Sequence, residues 1–348
     1  MAKKTSPLQA LENLPQTSDA HELADYIELL CLVTEDGRIS KADVIAWVKR
    51  RVKDLSEGKP SEIEEIEDET LLEDQGLEEA GGEPPAINDK WDERGIDWFR
   101  HLEYRVGAFG EYYPFKMLKS GSVLVLKRPK SSVTLKHKLY LFFLLASNLR
   151  LFSKADVSSI ASIFEFISYC ALEAYLPANT ELHMFGKHPL NTGRYSRSLW
   201  RKLDLLAKDI REKVVCAKAD FKPTNSGDAG LDLVGWSALE DKSAMTRGFL
   251  LAFGQCACTK AWVKKQHETH YDEWKNYMSF TSYPFRLTFI PYCFRTASGD
   301  WYEWTKIHMT VLIDRGRLLR LLTGKQNRLK THINLHVDDV LNNAEPVM

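Results

Sequence analysis

"GDAGLDLVGW", residues 227–236, and "GQCACTKAW", residues 254–262, decide the fold of the second half of the chain. Each stretch joins an apolar run typical of a buried strand to one polar side chain, Asp232 in the first and Gln255 in the second. A charged group among buried apolar residues is costly unless it is paired or binds a metal. A polar hairpin, "SALEDKSAMTRG", connects the two runs. We therefore expect an antiparallel pair of strands that brings Asp232 and Gln255 side by side.

The segments around this hairpin predict helices on both sides of a sheet. Amphipathic patterns favour helices over 154–176, 196–215 and 260–278, and a third apolar strand is expected within 285–295. Helices that flank strongly apolar strands are typical of a mixed sheet covered on both faces. The fold class expected from the sequence is therefore α/β, with a mainly α-helical N-terminal region.

The polar residues of the two strands suggest a metal site. Oxygens of Asp232 and Gln255 could together coordinate a hard divalent cation, Mg²⁺ or Mn²⁺, which takes carboxylate, amide and backbone oxygens plus water. Lys260, Lys264 and Lys265 follow at the start of the next predicted helix. A lysine there could orient a water molecule or stabilise the charge that develops on a phosphate.

This arrangement resembles the restriction-endonuclease-like nucleases, the PD-(D/E)XK superfamily, over about residues 155–300. In that family an acidic residue on one strand is followed, after a hairpin, by Glu or Gln, one residue and then Lys. Asp232 matches the acid, and Gln255 matches the Glu/Gln position. The resemblance also implies that Glu165, in the helix "IFEFISYCAL", contributes to the metal site. The lysine position holds Ala257, so the resemblance implies that Lys260 or Lys265 supplies the missing ammonium group.

The distribution of charge separates an acidic segment from a basic remainder. Residues 54–83 carry 13 acidic residues and one lysine, a net charge of −12. Since the whole chain carries −1, the rest carries about +11 (−1 minus −12). A basic body can bind a polyanion such as DNA, although a solvated surface of mixed charge remains an equal alternative.

Composition and pattern also predict how the chain is organised. We expect an N-terminal helical module over 1–55, an acidic flexible linker over 56–88, a helical, winged-helix-like module over 89–152, and a restriction-endonuclease-like nuclease domain over 153–348. In the third segment a basic turn (Lys127, Arg128 and Lys130) could contact nucleic acid, but an ordinary surface turn is the favoured reading. The six cysteines are scattered through apolar segments, the N-terminus has no apolar signal-peptide core, and no run of 18 apolar residues occurs. A cytoplasmic protein that does not span a membrane is therefore expected.

Three hypotheses for the function follow. The first is a metal-dependent DNA endonuclease, which the resemblance places among the effector subunits of bacterial anti-phage defence systems, with a partner helicase or other ATPase encoded nearby. The second is a catalytically inactive adaptor that keeps the nuclease fold to bind DNA or that ATPase, as Ala257 suggests. The third is a nuclease that acts on RNA. The sequence leaves the oligomeric state open.

Other groups of residues have simpler explanations. His267 and His270 could bind a metal, but an exposed polar helix face is favoured. The aromatic residues Trp301, Tyr302 and Trp304 could stack on bases, but packing at a sheet edge is the simpler explanation. The sequence contains no P-loop, dinucleotide-binding fingerprint or serine-hydrolase elbow.

Overall fold

A computed structural model describes residues 6–15, 19–56, 84–186, 193–222, 227–243 and 246–346. The chain forms two compact units. Unit 1 contains residues up to Ser153 together with Cys293–Tyr302 and Ile333–Met348, and unit 2 contains Lys154–Tyr292 and Glu303–His332. Most of the acidic linker, residues 57–83, lies outside the described residues, and its last five positions, 84–88, belong to a helix that begins at Pro84.

Unit 1 is a small helical unit with a three-stranded sheet. Its elements, in chain order, are α1 (Ala20–Val33), β1 (Arg38–Ser40), α2 (Lys41–Ser56), α3 (Pro84–Phe109), β2 (Phe115–Leu118), β3 (Val123–Leu126) and α4 (Leu135–Ala146). The antiparallel sheet has the order β1-β3-β2. Ser40 precedes α2, as expected: its Oγ accepts a hydrogen bond from the Asp43 N–H, while a carboxylate oxygen of Asp43 accepts one from the Ser40 N–H.

The pairing of β1 with β3 explains why the N-terminal segments lie in one unit. The sequence suggests separate modules over 1–55 and 89–152, but Ile39 of β1 pairs with Leu124 of β3. Residues 293–302 and 333–348, expected in the nuclease domain, also belong to unit 1. Such contacts between segments distant in sequence leave no signal in local composition. Unit 2 begins at Lys154, one residue after the predicted start of the last domain at residue 153.

Unit 2 contains the mixed sheet that the two quoted stretches predict. Its elements are α5 (Lys154–Tyr175), β4 (Glu181–Met184), α6 (Leu199–Asp209), β5 (Leu233–Ser237), β6 (Leu250–Cys256), α7 (Trp262–Lys265), α8 (Tyr271–Trp274), β7 (Phe285–Phe289), β8 (Val311–Ile313), α9 (Arg315–Leu321) and the start of α10 (Gln326–Asn343). The strand order is β4-β5-β6-β7-β8. The first three strands are antiparallel, and β6, β7 and β8 are parallel. The expected α/β fold class is confirmed.

Helices cover both faces of this sheet. On one face, side chains of β5 and β6 pack against the apolar side of α6 and against Trp274 of α8; these buried residues include Val234, Trp236, Leu251, Phe253, Leu199, Leu203 and Leu206. On the other face the helix α5 packs against β4 and β6. Gly235 leaves room for Leu176, which directly follows α5: a Cβ at this glycine would lie 3.1 Å from Leu176 Cδ1.

Two local predictions were wrong. The strand β5 begins at Leu233, so Asp232 lies directly before the strand rather than inside it. The segment 260–278 is not one helix but two short ones, α7 and α8. His270, between them, has an extended backbone conformation and caps α8 by accepting a hydrogen bond from the Asp272 N–H at its Nδ1. A residue with extended ψ cannot continue a helix.

One helix among the described residues, α5, is long and apolar enough by length and composition to cross a membrane. Eight of its residues are buried, and it packs against β4, β6 and α9 within unit 2. This is the behaviour expected of the core helix of a soluble domain.

Candidate active site

Asp232 lies directly before the first residue of β5, where β5 adjoins β4 and β6. Its backbone N–H donates to the Gly254 carbonyl of β6 at 3.1 Å, and its carbonyl accepts from the Phe185 N–H, directly after β4, at 2.7 Å. The ladder pairs Leu233 with Gly254, and its extension by one residue places Asp232 opposite Gln255. The hairpin therefore brings the two residues side by side, as the sequence predicts.

Three carboxylates from two segments of the chain surround Gly186. A Cβ at this buried glycine would lie 3.3 Å from Oε1 of Glu165, 3.4 Å from Oδ1 of Asp232 and 3.6 Å from Oδ2 of Asp228. Glu165 comes from the helix α5 and Asp228 from the loop before β5. Because residue 186 has no side chain, the space beside Gly186 that a methyl group would fill lies among these three oxygens.

The loop that carries Asp228 is held by a glycine in the left-handed conformation. Gly230 has φ +75°, and its N–H donates to Oδ1 of Asp228 at 2.9 Å. A Cβ on Gly230 would come within 2.3 Å of the Glu268 Cβ. Both the dihedral angle and this close approach require glycine here, so the loop passes directly against the segment between α7 and α8.

The electrostatics of the site show that these carboxylates repel one another. Removal from water, and then the negative charges of Asp232 and Asp228, raise the pKa of Glu165 well above its usual range, whereas Lys202 opposes this shift. The pKa of Asp232 is also raised, chiefly by removal from water. The Cys256 N–H, which donates to Oδ2 of Asp232 at 2.6 Å, counteracts part of that shift. A cation among these oxygens would favour their ionised forms.

Two buried oxygen atoms of the predicted site lack a hydrogen-bond partner among the described residues. They are Oε1 of Glu165 and Oε1 of Gln255, whose side chain is only 2% exposed. An unsatisfied buried acceptor is unfavourable, and such groups in folded proteins usually bind water or an ion. Both are oxygen atoms of the kind that Mg²⁺ prefers as ligands.

The structure places the two lysines that the sequence proposes in different surroundings. Lys265, at the end of α7, is close enough for its charge to act on Asp232 and to oppose the rise of its pKa. Lys260 lies exposed in the turn before α7. Ala257, at the position where the resemblance implies a lysine, is buried, and its N–H donates to the Phe289 carbonyl at 3.0 Å.

A third lysine, Lys202 of α6, was missed by the sequence reasoning. It is 2% exposed, and its Nζ donates to the carbonyls of Phe185 at 2.9 Å and Gly227 at 3.1 Å. Burial lowers the pKa of Lys202, while Asp228 and Glu165 oppose that shift. Its signal was present in the sequence, because it lies beside Leu199 and Leu203 on the apolar face of the helix, where a lysine is unusual without a partner. Asp228 and Gly186 were also missed, since their roles depend on how two loops meet.

The remaining candidates lie elsewhere or have other roles. The imidazole rings of His267 and His308 lie tilted against each other with centroids 5.3 Å apart, and His270 caps α8. Trp301 packs against the guanidinium of Arg295 within unit 1. Among the described residues, the one group of three metal-binding side chains with ligand atoms within 4.8 Å of one another is Asp19, His21 and Glu22 in unit 1. The carboxylates around Gly186 are therefore more widely spaced than the ligands of a closed metal site.

Comparison of the chain with known protein families, curated proteins and solved structures finds no match.

Proposed function

We propose that this protein is a metal-dependent DNA endonuclease of the restriction-endonuclease-like class. The observation that carries the proposal is the convergence of Glu165, Asp228 and Asp232 around the space beside Gly186. Four features agree with what the resemblance implies. They are Asp232 directly before one strand, the hairpin, Gln255 near the end of the next strand, and Glu165 on an earlier helix. The fold alone would not support an activity, because one fold hosts many functions.

The residues present fit a divalent cation. Asp232, Glu165 and Asp228 offer carboxylate oxygens, and Gln255 offers an unpartnered amide oxygen. Mg²⁺ or Mn²⁺ prefers such ligands and keeps several water molecules in its shell, so widely spaced carboxylates suit it better than they suit a fully enclosed ion. When bound, the cation would polarise a phosphoryl oxygen and lower the pKa of a bound water molecule.

The side chains of the chain itself have distinct roles in this proposal. Asp232 is oriented by the Cys256 N–H, which leaves Oδ1 directed at the space beside Gly186. Lys265 replaces the lysine that is missing at position 257, and its ammonium group would orient the attacking water or stabilise negative charge on the phosphate. Lys202 is held by two backbone carbonyls, so it positions the loops that carry the carboxylates.

The biological setting of the proposal comes from the resemblance and the composition. The substrate would be DNA, since the chain outside 54–83 has a net charge of about +11 (−1 minus −12). Cleavage would leave 5′-phosphates if the mechanism of the superfamily applies. The protein would be the effector of a bacterial anti-phage defence system in the cytoplasm and would act with a helicase or another ATPase encoded nearby.

A catalytically inactive adaptor with a nuclease fold is the second candidate. Two observations favour it: Ala257 stands where the resemblance implies lysine, and the three carboxylates are spaced more widely than in a closed metal site. An adaptor would bind DNA or its partner without metal and would not cut. Binding of Mn²⁺ that depends on Asp232 distinguishes the two candidates.

The proposal is tested by incubating supercoiled and linear DNA with the full chain and Mg²⁺ or Mn²⁺. Wild type is compared with Asp232→Ala and with Asp204→Ala, which removes an exposed aspartate paired with Lys208 on α6. We expect cutting that requires metal, that is lost in Asp232→Ala and that persists in Asp204→Ala. If wild type does not cut, the assay is repeated with the products of neighbouring genes, and continued inactivity would favour the adaptor.

A further inference from the structure

A second site, unrelated to the carboxylates, is present in unit 1. An open cavity of about 650 Å³ lies beside the start of α4 and is lined by Glu111, Lys127, Arg128, Pro129, Ser132, Thr134, Lys136 and His137. Three of these side chains are cationic and one is anionic. Ser132 donates its hydroxyl to the Pro129 carbonyl at 3.2 Å, whereas Thr134 accepts from the His137 N–H at 3.2 Å and keeps its own O–H as a donor to an oxyanion.

The positive groups of this cavity are not all used by the protein. Lys136 forms an ion pair of 2.5 Å with Glu111, and Lys127 donates to the Gly110 carbonyl at 3.2 Å. Arg128, by contrast, forms no hydrogen bond or ion pair with the described residues. Its guanidinium has five N–H donors in a fork that matches the oxygens of a phosphate group.

The buried wall of the cavity adds to its preference for anions. Burial, and then the charges of Lys127 and Arg128, lower the pKa of His137 to about 4. The imidazole is therefore neutral at neutral pH and adds no charge of its own, and beyond burial the lowered pKa reflects the positive field of Lys127 and Arg128 at this wall. Burial also lowers the pKa of Lys127, which shows that this ammonium group is partly removed from water. A cation that has lost part of its hydration gains more from an anionic partner than a fully hydrated one.

We propose that this cavity binds a phosphate group, with Arg128 as its main anchor and Lys127 and Lys136 as further cations. The phosphate belongs either to a small phosphorylated ligand or to the backbone of a nucleic acid. The volume is sufficient for a small-molecule ligand, since ligand sites commonly measure about 300–1,000 Å³. This site does not depend on the proposed nuclease activity, and either proposal can fail without the other.

The test measures binding to the full chain in EDTA, so that no divalent cation can bridge phosphate to the carboxylates of unit 2. Inorganic pyrophosphate is titrated by calorimetry, and a fluorescein-labelled 12-nucleotide single-stranded DNA is titrated by anisotropy. Arg128→Gln is compared with Arg100→Gln, which makes the same change of charge at an exposed arginine of α3. Glu111→Gln, which removes the anionic wall, is compared with Glu103→Gln at an exposed position of α3.

We expect Arg128→Gln to weaken binding about tenfold, as the loss of a charge-assisted phosphate contact does, and Arg100→Gln to leave it within about twofold. Glu111→Gln should tighten binding about threefold, because like charge no longer opposes the phosphate. Glu103→Gln should leave it unchanged. If pyrophosphate binds and the variants change its affinity as predicted, the ligand is a small phosphorylated molecule. If only the oligonucleotide binds and the variants change its affinity as predicted, the ligand is a nucleic-acid backbone. The proposal is overturned if neither probe binds or if Arg128→Gln and Arg100→Gln behave alike.

Discussion

Oδ2 of Asp232 accepts a 2.6 Å hydrogen bond from the backbone N–H of Cys256, so the side chain at the end of β5 is fixed by the backbone of β6. The same residue faces the space beside Gly186 with its other oxygen, Oδ1. A carboxylate held in this way needs no rearrangement to bind a ligand. Preorganisation of this kind is what the proposed metal ligand requires.

The space beside Gly186 can be closed by one methyl group. Gly186→Ala would place a Cβ 3.3–3.6 Å from oxygens of the three carboxylates, where a cation would otherwise bind. We expect the variant to fold, because these contacts are tight but not severe, and to lose at least about tenfold in Mn²⁺ affinity. Calorimetric titration with Mn²⁺ measures the loss.

Gly107→Ala is the matched control, because nothing lies within 4 Å of a Cβ at that exposed helical position. It should bind Mn²⁺ as wild type does and gain up to about 1 kcal/mol in stability. Unchanged Mn²⁺ affinity in Gly186→Ala would show that the metal does not occupy this space.

Glu165→Gln should stabilise the metal-free protein. The pKa of Glu165 is raised in the folded state, so the folded state holds a proton that the unfolded state releases. The free energy of unfolding therefore falls as the pH rises from the unfolded-state pKa to the folded-state pKa. A neutral amide removes this penalty. We expect an increase of at least about 1 kcal/mol in the free energy of unfolding at pH 8. Urea denaturation in EDTA measures it.

The same substitution at Glu173 of α5 should act in the opposite direction. Glu173 pairs with Lys325 at 3.1 Å and with Arg328 at 2.7 Å, so Glu173→Gln should lower stability by about 0.2–1 kcal/mol. If Glu165→Gln destabilises the metal-free protein instead, the carboxylates do not repel one another as described.

Unit 1 should become less stable in acid because of His137. Its folded-state pKa of about 4 lies below the usual value of 6.5, owing to burial and to Lys127 and Arg128. The stability that depends on a neutral imidazole is therefore present above about pH 6.5 and is lost as the pH falls towards 4. His137→Gln should reduce the loss of unfolding free energy between pH 7 and 4.5 by about 2 kcal/mol. Urea denaturation of both proteins at the two pH values provides the comparison, and an equal loss in both would refute this role.

A buried ionic network should make unit 1 sensitive to the loss of Arg105. This fully buried guanidinium lies 2.6 Å from Asp25 and 2.9 Å from Glu28, and Glu28 also accepts from the hydroxyls of Tyr113 at 2.7 Å and Tyr140 at 2.8 Å. Arg105→Met would leave two carboxylates unpaired, so we expect a loss of about 3–5 kcal/mol in thermal or urea unfolding.

The loss of stability in Arg105→Met should come from the two carboxylates that remain buried without their cationic partner, not from lost packing. The triple variant Arg105→Met, Asp25→Asn, Glu28→Gln should therefore recover a large part of the lost stability. A triple variant as unstable as the single one would show that the guanidinium acts through packing instead.

The sequence supports some parts of this structure better than others. The strand that directly follows Asp232 and the strand that carries Gln255 are both indicated by apolar runs and a polar hairpin, and their register follows from the antiparallel pairing. The helix that carries Glu165 follows from its amphipathic pattern. Each of these signals is local, and local signals are the ones that a single sequence retains.

The parts that the sequence did not predict depend on contacts between distant segments. Asp228 joins the site because its loop meets the segment after β4 near Gly186, and no periodicity records such a meeting. The segment between α7 and α8 ends at His270 and contains no glycine or proline that would indicate a break in the helix. Lys202 was the exception, since a lysine on an apolar helix face is visible in the sequence and requires buried acceptors.

The metal site around Asp232 is tested most directly by a calorimetric titration of the full chain with Mn²⁺, for wild type, Asp232→Asn and Asp204→Asn. We predict saturable Mn²⁺ binding to wild type and to Asp204→Asn, and a loss of at least about tenfold in affinity in Asp232→Asn. All three proteins should unfold at similar temperatures without metal, so that the loss reports the site. Equal Mn²⁺ binding by wild type and Asp232→Asn, or no binding by wild type, would contradict a metal centre at the end of β5.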